Sequence, residues 1–509
     1  MQTCENLKDA INKAFKAYPK KIFMKFHGKK YTFSDMKHYS NKIIHYLSHL
    51  GLKYQDKIAT YSRNIPDFII LNIAALRMGV TIIPVNYLLT SGEVEYIVKD
   101  SGVKHLFVQD VFVDHLKELL DKKTVPDVLI LGGKAEGFSN LMEEIENSAD
   151  DSMDINYPVK HSDLAMIIYT SGTTGNPKGV MLTHNNLLSN VKDLIEITNV
   201  SHNAVLYGLL PLFHAYSYTT SFLLCLVWGC RMILIDDLSN GKLIVKTLVK
   251  ERVNWLIAVP TLFNALSKAN LPGIFKLINP LKYCISGAAP LPPATVERFK
   301  AKFGLYIHEG YGLSECSPVV SANSPLKPPV IGSVGKALPS VSIKIVGESE
   351  NEVASGEMGE IIVKGPNVME GYYNNKEETE KVLKNGWLFT GDYGRFDSDG
   401  NLYILDRKKD LIIKHGMNIY PQEIERVLMK EEAIKESAVV GVEVSPGVEV
   451  PVAFYETVDK KPIPGNILRN LCGKYLAPYK IPQKFIFLEE LPKTPTNKPL
   501  KRELKKMKI

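Results

Sequence analysis

Apolar residues follow two rhythms along roughly the first 320 positions. Short apolar runs with β-branched content begin at Ile58, Val80, His105 and Val128. Between them lie amphipathic stretches such as residues 67–78, whose apolar positions repeat at helical spacing and stop at Gly79. Strand-length runs alternating with helical stretches predict α/β layers with largely parallel sheets. The run at 217–228 is apolar at helical spacing and reads as core or as the lining of an apolar tunnel, with core preferred.

The pattern changes near residue 325. Short alternating strands beginning at Val341, Glu360 and Asn401 are separated by turns carrying Gly347, Gly356, Gly359, Gly365 and Gly400, which predicts a small antiparallel β unit over about 325–405. A third texture starts at Asp406: a helix over 421–430, strands over 438–444 and 452–458, a helix over 467–476, a strand over 485–488 and a basic tail over 498–508. The expected architecture is a large N-terminal domain of layered α/β subdomains (1–405) ending in a small β-barrel-like unit. A small mobile C-terminal α+β domain (406–509) follows, hinged at Asp406.

Charge sharpens this division. The 509 residues carry 62 Lys and Arg against 55 Asp and Glu, and 20 of those cations against 13 of those anions lie from Arg407 to Ile509. The whole surplus of +7 therefore sits in the last fifth of the chain, which suits a polyanionic partner. A composition of 45% hydrophobic and 23% charged residues excludes disorder, collagen and coiled coil. Six cysteines without a Cys-x-x-Cys pair argue against a metal cluster or disulfide framework. The most apolar stretch, 221–235, contains Arg231 and falls short of the roughly 20 residues a membrane span needs. No signal-like run follows Met1, so a reduced, cytoplasmic protein is expected.

The most informative segment is Tyr169-Thr-Ser-Gly-Thr-Thr-Gly-Asn-Pro-Lys178-Gly-Val-Met. An apolar strand runs into a loop of glycines and hydroxyls, whose inward-facing N–H groups suit phosphate oxygens, with Lys178 as a point charge. It is not a Walker loop, because Pro177-Lys178-Gly179 stands where Gly-Lys-Ser/Thr is required.

This loop resembles the signature of the adenylate-forming superfamily of acyl- and aryl-CoA synthetases, peptide-synthetase adenylation domains and luciferases. Five further segments agree in order: Ser286-Gly-Ala-Ala-Pro-Leu, Glu309-Gly-Tyr-Gly-Leu-Ser-Glu315, Trp387-Leu-Phe-Thr-Gly-Asp392, Asp406-Arg-Lys-Lys-Asp, and Pro492-Lys-Thr-Pro-Thr-Asn-Lys498. The resemblance is strongest to bacterial-type medium- and long-chain fatty acid–CoA ligases. It implies attack of a carboxylate on the α-phosphate of ATP to form an acyl-adenylate, followed by displacement of AMP by coenzyme A.

The resemblance also implies roles. Thr170, Ser171, Gly172, Thr173, Thr174, Gly175 and Lys178 would handle the phosphates. Gly287, Ala288 and Ala289 would form the adenine site with Tyr311 along adenine (a core aromatic being the alternative), and Gly310 and Gly312 of the second signature would also bind ATP. Ser314 would donate to the α-phosphate, and Thr170 and Glu315 would hold Mg²⁺, a hard cation suited to oxygen ligands. Asp392 would accept the ribose hydroxyls, supported by Arg407. Lys498 would be the catalytic cation, and His214 would lie beside the substrate carboxylate unless it is a core residue. Asp406 and Lys409 would form the hinge. Lys414, Gly416 and Asn418 would face the pantetheine of coenzyme A.

Two departures from the resemblance matter. Lys414-His415-Gly416 replaces a more usual Ser-Gly-Gly, and Asn497 replaces a glycine before Lys498. The expected acid is a medium- or long-chain fatty acid, with an aryl acid, or a carrier-loading adenylation enzyme, as alternatives. No nucleic-acid partner is expected. The basic tail allows a peripheral membrane contact, and Lys501 onward reads as solvated charge.

Overall fold

Continuous apolar runs become buried parallel strands. The computed structural model describes residues 4–121, 127–147, 155–170, 177–235, 241–269, 278–414, 417–445, 448–493 and 499–507. One sheet has seven strands in the order Gly371–Tyr372, Lys178–Thr183, Leu164–Thr170, Thr81–Val85, Lys57–Tyr61, His105–Gln109 and Asp127–Leu131. The last five pair in parallel, and the two at the other edge pair antiparallel. Helix Pro66–Met78 is buried along almost all of its length. Proline opens it and Gly79 closes it at φ +71°, where a Cβ would stand 2.7 Å from the Tyr54 ring.

The second large sheet has nine strands. Its interior runs in parallel through Ile307–Gly312, Tyr283–Ser286, Trp255–Ala258, Val205–Gly208, Arg231–Leu234 and Ile22–Phe26. Antiparallel strands close both edges: Val319–Ala322 with Lys336–Ala337 on one side, Lys29–Thr32 on the other. Residues 217–228 form a π-helical turn, Tyr218–Leu223, running into helix Leu224–Trp228. Tyr218 and Phe222 are completely buried in the main core, so the core reading of this run holds.

Beyond residue 340 the strands are antiparallel. Ser342–Val346 pairs Gly359–Lys364, which pairs Trp387–Phe396; that strand also pairs Leu383–Lys384 and Leu402–Arg407. Asp406 is thus still within a strand, opposite Tyr393.

After Arg407 come a hairpin (Ile412–Lys414, Met417–Ile419) and helix Pro421–Leu428. Long strands Ile434–Ser445 and Val448–Thr457 follow, then helix Gly465–Tyr475, strand Lys484–Phe487 and helix Lys501–Lys506. The first long strand starts four residues before the apolar pattern. Ion pairs extend it there: Lys435 meets the fully buried Glu456 at 2.9 Å, and Glu436 meets Lys493 at 2.6 Å.

The tail corrects the sequence reading. Lys501 is not solvated: its ammonium lies 2.8 Å from Glu425 Oε1, and Leu504 of the same short helix is fully buried. All six cysteines are buried free thiols. Among the described residues, no helix is long and apolar enough to cross a membrane.

Candidate functional site

Strand Leu164–Thr170 leaves the seven-stranded sheet at Thr170 and returns as Lys178–Thr183, with Thr170 and Lys178 directly opposite each other. Ser171, Gly172, Thr173, Thr174 and Gly175 lie outside the described residues. Short strand Gly371–Tyr372 pairs with the returning strand, and Tyr373 N–H donates to Gly179 O at 2.7 Å. That pairing sets the Tyr372 ring beneath Lys178, whose Nζ is 5.3 Å from the ring centroid. The Tyr372 hydroxyl donates to Glu315 Oε1 at 2.9 Å, so one tyrosine joins the glycine-loop lysine to the second-signature glutamate. Burial and the Glu315 charge push the Tyr372 phenol far up, keeping it a donor.

Lys178 Nζ also forms an ion pair with Glu378. Glu378 lies on helix Lys376–Val382, capped by Asn375, and its other oxygen accepts from Lys381 at 2.7 Å. These two lysines hold the Glu378 carboxyl at about 2, well below the usual carboxylate range.

A second cluster forms where strand Ile307–Gly312 meets the antiparallel unit. Tyr311 donates to Asp392 Oδ2 at 2.6 Å, and Arg407 Nε lies 3.2 Å from Asp392 Oδ1. Asp392 is only 5% exposed, and cross-strand register sets it opposite Arg407. Gly312 makes the turn toward Ser314 and Glu315 possible, since a Cβ there would stand 2.1 Å from Pro318 O.

Gly287, Ala288 and Ala289 follow strand Tyr283–Ser286. A Cβ on Gly287 would lie 2.9 Å from the Tyr216 ring, and Ala288 is held at φ +68°. The Tyr216 hydroxyl and Ser286 Oγ are buried without hydrogen-bond partners among the described residues. His214 sits two residues before Tyr216, its ring 4.4 Å from Phe213. Gly310 packs on strand Val319–Ala322, 3.3 Å from Ser321 O to an added Cβ.

At the expected hinge, Asp406 is 1% exposed and accepts from Arg407 N at 2.8 Å and Gln422 N at 2.7 Å. Burial raises its carboxyl to about 6, opposed by nearby Lys501. Burial and then the Arg407 charge lower the Lys409 amine. Lys414 Nζ lies 3.4 Å from Tyr479 O. Gly416, Lys498 and the Asn418 side chain lie outside the described residues.

The geometry thus joins Lys178 to Glu315 and Tyr311 to Asp392 and Arg407, each across long sequence separations. It adds Tyr372, Glu378 and Tyr216, which sequence reasoning missed. Tyr372 lies outside the six segments that carry the resemblance. Glu378 was hidden in the charged run Lys376-Glu-Glu-Thr-Glu-Lys. No group of three or more His, Cys, Asp or Glu among the described residues is placed to hold a metal. Glu315, with one oxygen engaged by Tyr372, fits a Mg²⁺ completed by substrate phosphate oxygens rather than an all-protein cage.

Residues 11–373 match the family model for AMP-binding enzymes, and residues 423–498 match that for the AMP-binding enzyme C-terminal domain. The chain is 34% identical to a long-chain-fatty-acid–CoA ligase of Salmonella typhimurium, covering 94% of this chain and 90% of that protein. It is 34% identical to the Bacillus subtilis long-chain-fatty-acid–CoA ligase (98% and 94% covered) and 33% identical to 2-succinylbenzoate–CoA ligase of Bacillus pumilus (96% and 95%). Among solved structures it resembles ATP-bound MatB from Rhodopseudomonas palustris, with a TM-score of 0.89 at 29% identity and 98% of both chains covered. It also resembles o-succinylbenzoate CoA synthetase from Bacillus subtilis with ATP and magnesium, with a TM-score of 0.85 at 28% identity, covering 97% and 99%. The chain belongs to the AMP-binding enzyme family, in its branch of AMP-forming acyl-CoA ligases.

Proposed function

We propose that this protein activates a medium- or long-chain fatty acid with ATP and Mg²⁺ and transfers the acyl group to coenzyme A. A carboxylate is a poor electrophile because its charge is delocalised; linking it to AMP supplies a good leaving group that a thiol can displace. In the first step an anion approaches a polyanion, so preorganised cations and donors carry the catalysis. Lys178 and the 170–178 loop face the β- and γ-phosphates, and Ser314 the α-phosphate. Thr170 and Glu315 hold Mg²⁺, which neutralises phosphate charge when bound. Asp392 accepts the ribose hydroxyls, with Tyr311 along adenine and Arg407 beside the ribose and phosphate. Lys498 stabilises charge at the reacting carboxylate, with His214 beside it.

The hinge at Asp406 and Lys409 divides the two half-reactions. Turning the C-terminal domain there withdraws Lys498 and presents Lys414, Gly416 and Asn418 to pantetheine.

One observation carries the choice of acid: long-chain-fatty-acid–CoA ligases align with 94% or more of the chain at 34% identity. A second reading, an aryl acid, draws on the 2-succinylbenzoate–CoA ligase at 33% identity. Palmitate, octanoate, 4-coumarate and 2-succinylbenzoate offered with ATP, Mg²⁺ and coenzyme A separate them. Turnover of palmitate or octanoate supports the fatty acid, and turnover of the aromatic acids alone replaces it. Lys498→Ala is the control, expected to lower adenylation about 10²–10³-fold on the scale of a lost oxyanion donor.

A further inference from the structure

Lys178 has an anionic partner that a phosphate-binding lysine does not need. Its ammonium is paired with Glu378, and both side chains are mostly shielded, at 17% and 25% exposure. The carboxylate is held by neighbours on its own helix. Asn375 Oδ1 caps the helix at Glu378 N–H, 3.1 Å away, and Lys381 Nζ holds the second carboxylate oxygen. Thr379 Oγ1 accepts from Tyr372 N–H at 2.8 Å, which ties the helix to the strand pairing with Lys178–Thr183. Gly371, at φ +143°, lets the two meet, since a Cβ would stand 2.7 Å from Thr379 Cγ2. The fold therefore fixes a negative charge beside the cation at the end of the glycine loop.

We propose that Glu378 is a built-in competitor for Lys178, which exchanges its carboxylate for the β/γ-phosphates when ATP binds and recovers it as pyrophosphate leaves. This rests on the adenylating function proposed above. A lone lysine in a polar loop would hold pyrophosphate as firmly as it holds ATP and would delay the next step. A tethered carboxylate offsets part of that attraction, whichever polyphosphate is bound. Tyr372 beneath the ammonium keeps the lysine in place during the exchange. Glu378 acts through Lys178 and is a positioning residue, not a catalytic one.

Glu378→Gln preserves shape and removes the charge. The affinities of the full-length protein for pyrophosphate and for ATP, each with Mg²⁺, are measured by titration calorimetry for the wild type, Glu378→Gln, Lys178→Ala and the double variant. Glu378→Gln is expected to tighten both ligands about three- to tenfold, the scale of one partly shielded ion pair, and less at high salt. The effect should vanish in the Lys178→Ala background, and Glu378→Asp should restore most of the wild-type affinity. Unchanged or weaker binding by Glu378→Gln, or an equal gain without Lys178, overturns the inference and leaves the adenylating function standing. A wild type that binds neither ATP nor pyrophosphate overturns both.

Discussion

Tyr311 donates to Asp392 Oδ2 at 2.6 Å while Arg407 Nε stands 3.2 Å from the other oxygen, so one buried carboxylate is held from two sides. The three residues come from three places: Tyr311 from the end of strand Ile307–Gly312, Asp392 from the middle of Trp387–Phe396 and Arg407 from the end of Leu402–Arg407. In the function proposed above, ribose binding and the hinge would therefore share this one side chain.

Tyr311→Phe keeps the ring and removes one hydrogen bond to a charged acceptor. The KM for ATP in pyrophosphate exchange is expected to rise about tenfold, the cost of one charge-assisted bond, with little change in Tm. Asp392→Ala should cost more, because it also strands Arg407. Wild-type KM values in both variants would remove Asp392 from the nucleotide site.

Gly312→Ala tests the backbone that presents Ser314 and Glu315. The added Cβ would meet Pro318 O at 2.1 Å, and a backbone atom cannot rotate away. A loss of about 1–3 kcal/mol or more is expected, seen as a fall in Tm together with lost exchange activity. Gly241→Ala, where nothing lies within 4 Å, is the matched control and should leave Tm unchanged or slightly higher.

Lys501→Met addresses the tail. Its ammonium is paired with Glu425 and faces Asp406, whereas Lys505 is exposed. Removing Lys501 leaves two shielded carboxylates without a counter-charge, and a loss of about 1–2 kcal/mol is expected after discounting for partial exposure. Urea denaturation should show it in Lys501→Met and not in Lys505→Met. Equal midpoints would return Lys501 to the solvated surface.

How legible these features were depends on the range of the forces that made them. The parallel sheets followed from apolar runs such as the strand Thr81–Val85, buried on both faces, because burial acts on each segment separately. Tyr311, Asp392 and Arg407 could be singled out because their motifs are contiguous. Their mutual contact could not, since it arises from cross-strand register between Asp392 and Arg407. The Glu378 pairing was invisible for the same reason: a charged run looks identical whether it faces water or a lysine 200 residues away in the chain. The strand starting at Ile434 escaped the apolar pattern because ion pairs of Lys435 and Glu436, not alternation, mark its first residues.

Acid stability carries a last signature. His184 opens helix His184–Thr198, is completely buried, and neither ring nitrogen has a partner among the described residues. Burial lowers its pKa to about 4, against a small opposing pull from Asp163, while the unfolded chain titrates near the ordinary value of 6.5. Between these values the unfolded state binds the extra proton, so stability is full above about pH 6.5 and falls as the pH drops toward 4. The loss approaches on the order of 3 kcal/mol at pH 4, at about 1.4 kcal/mol per pH unit. His308, lowered to about 4 by burial, adds in the same direction. Urea midpoints from pH 7.5 to 4.5 should decline less steeply in His184→Gln than in the wild type. Parallel declines would mean that His184 titrates alike in both states and is not held neutral by the fold.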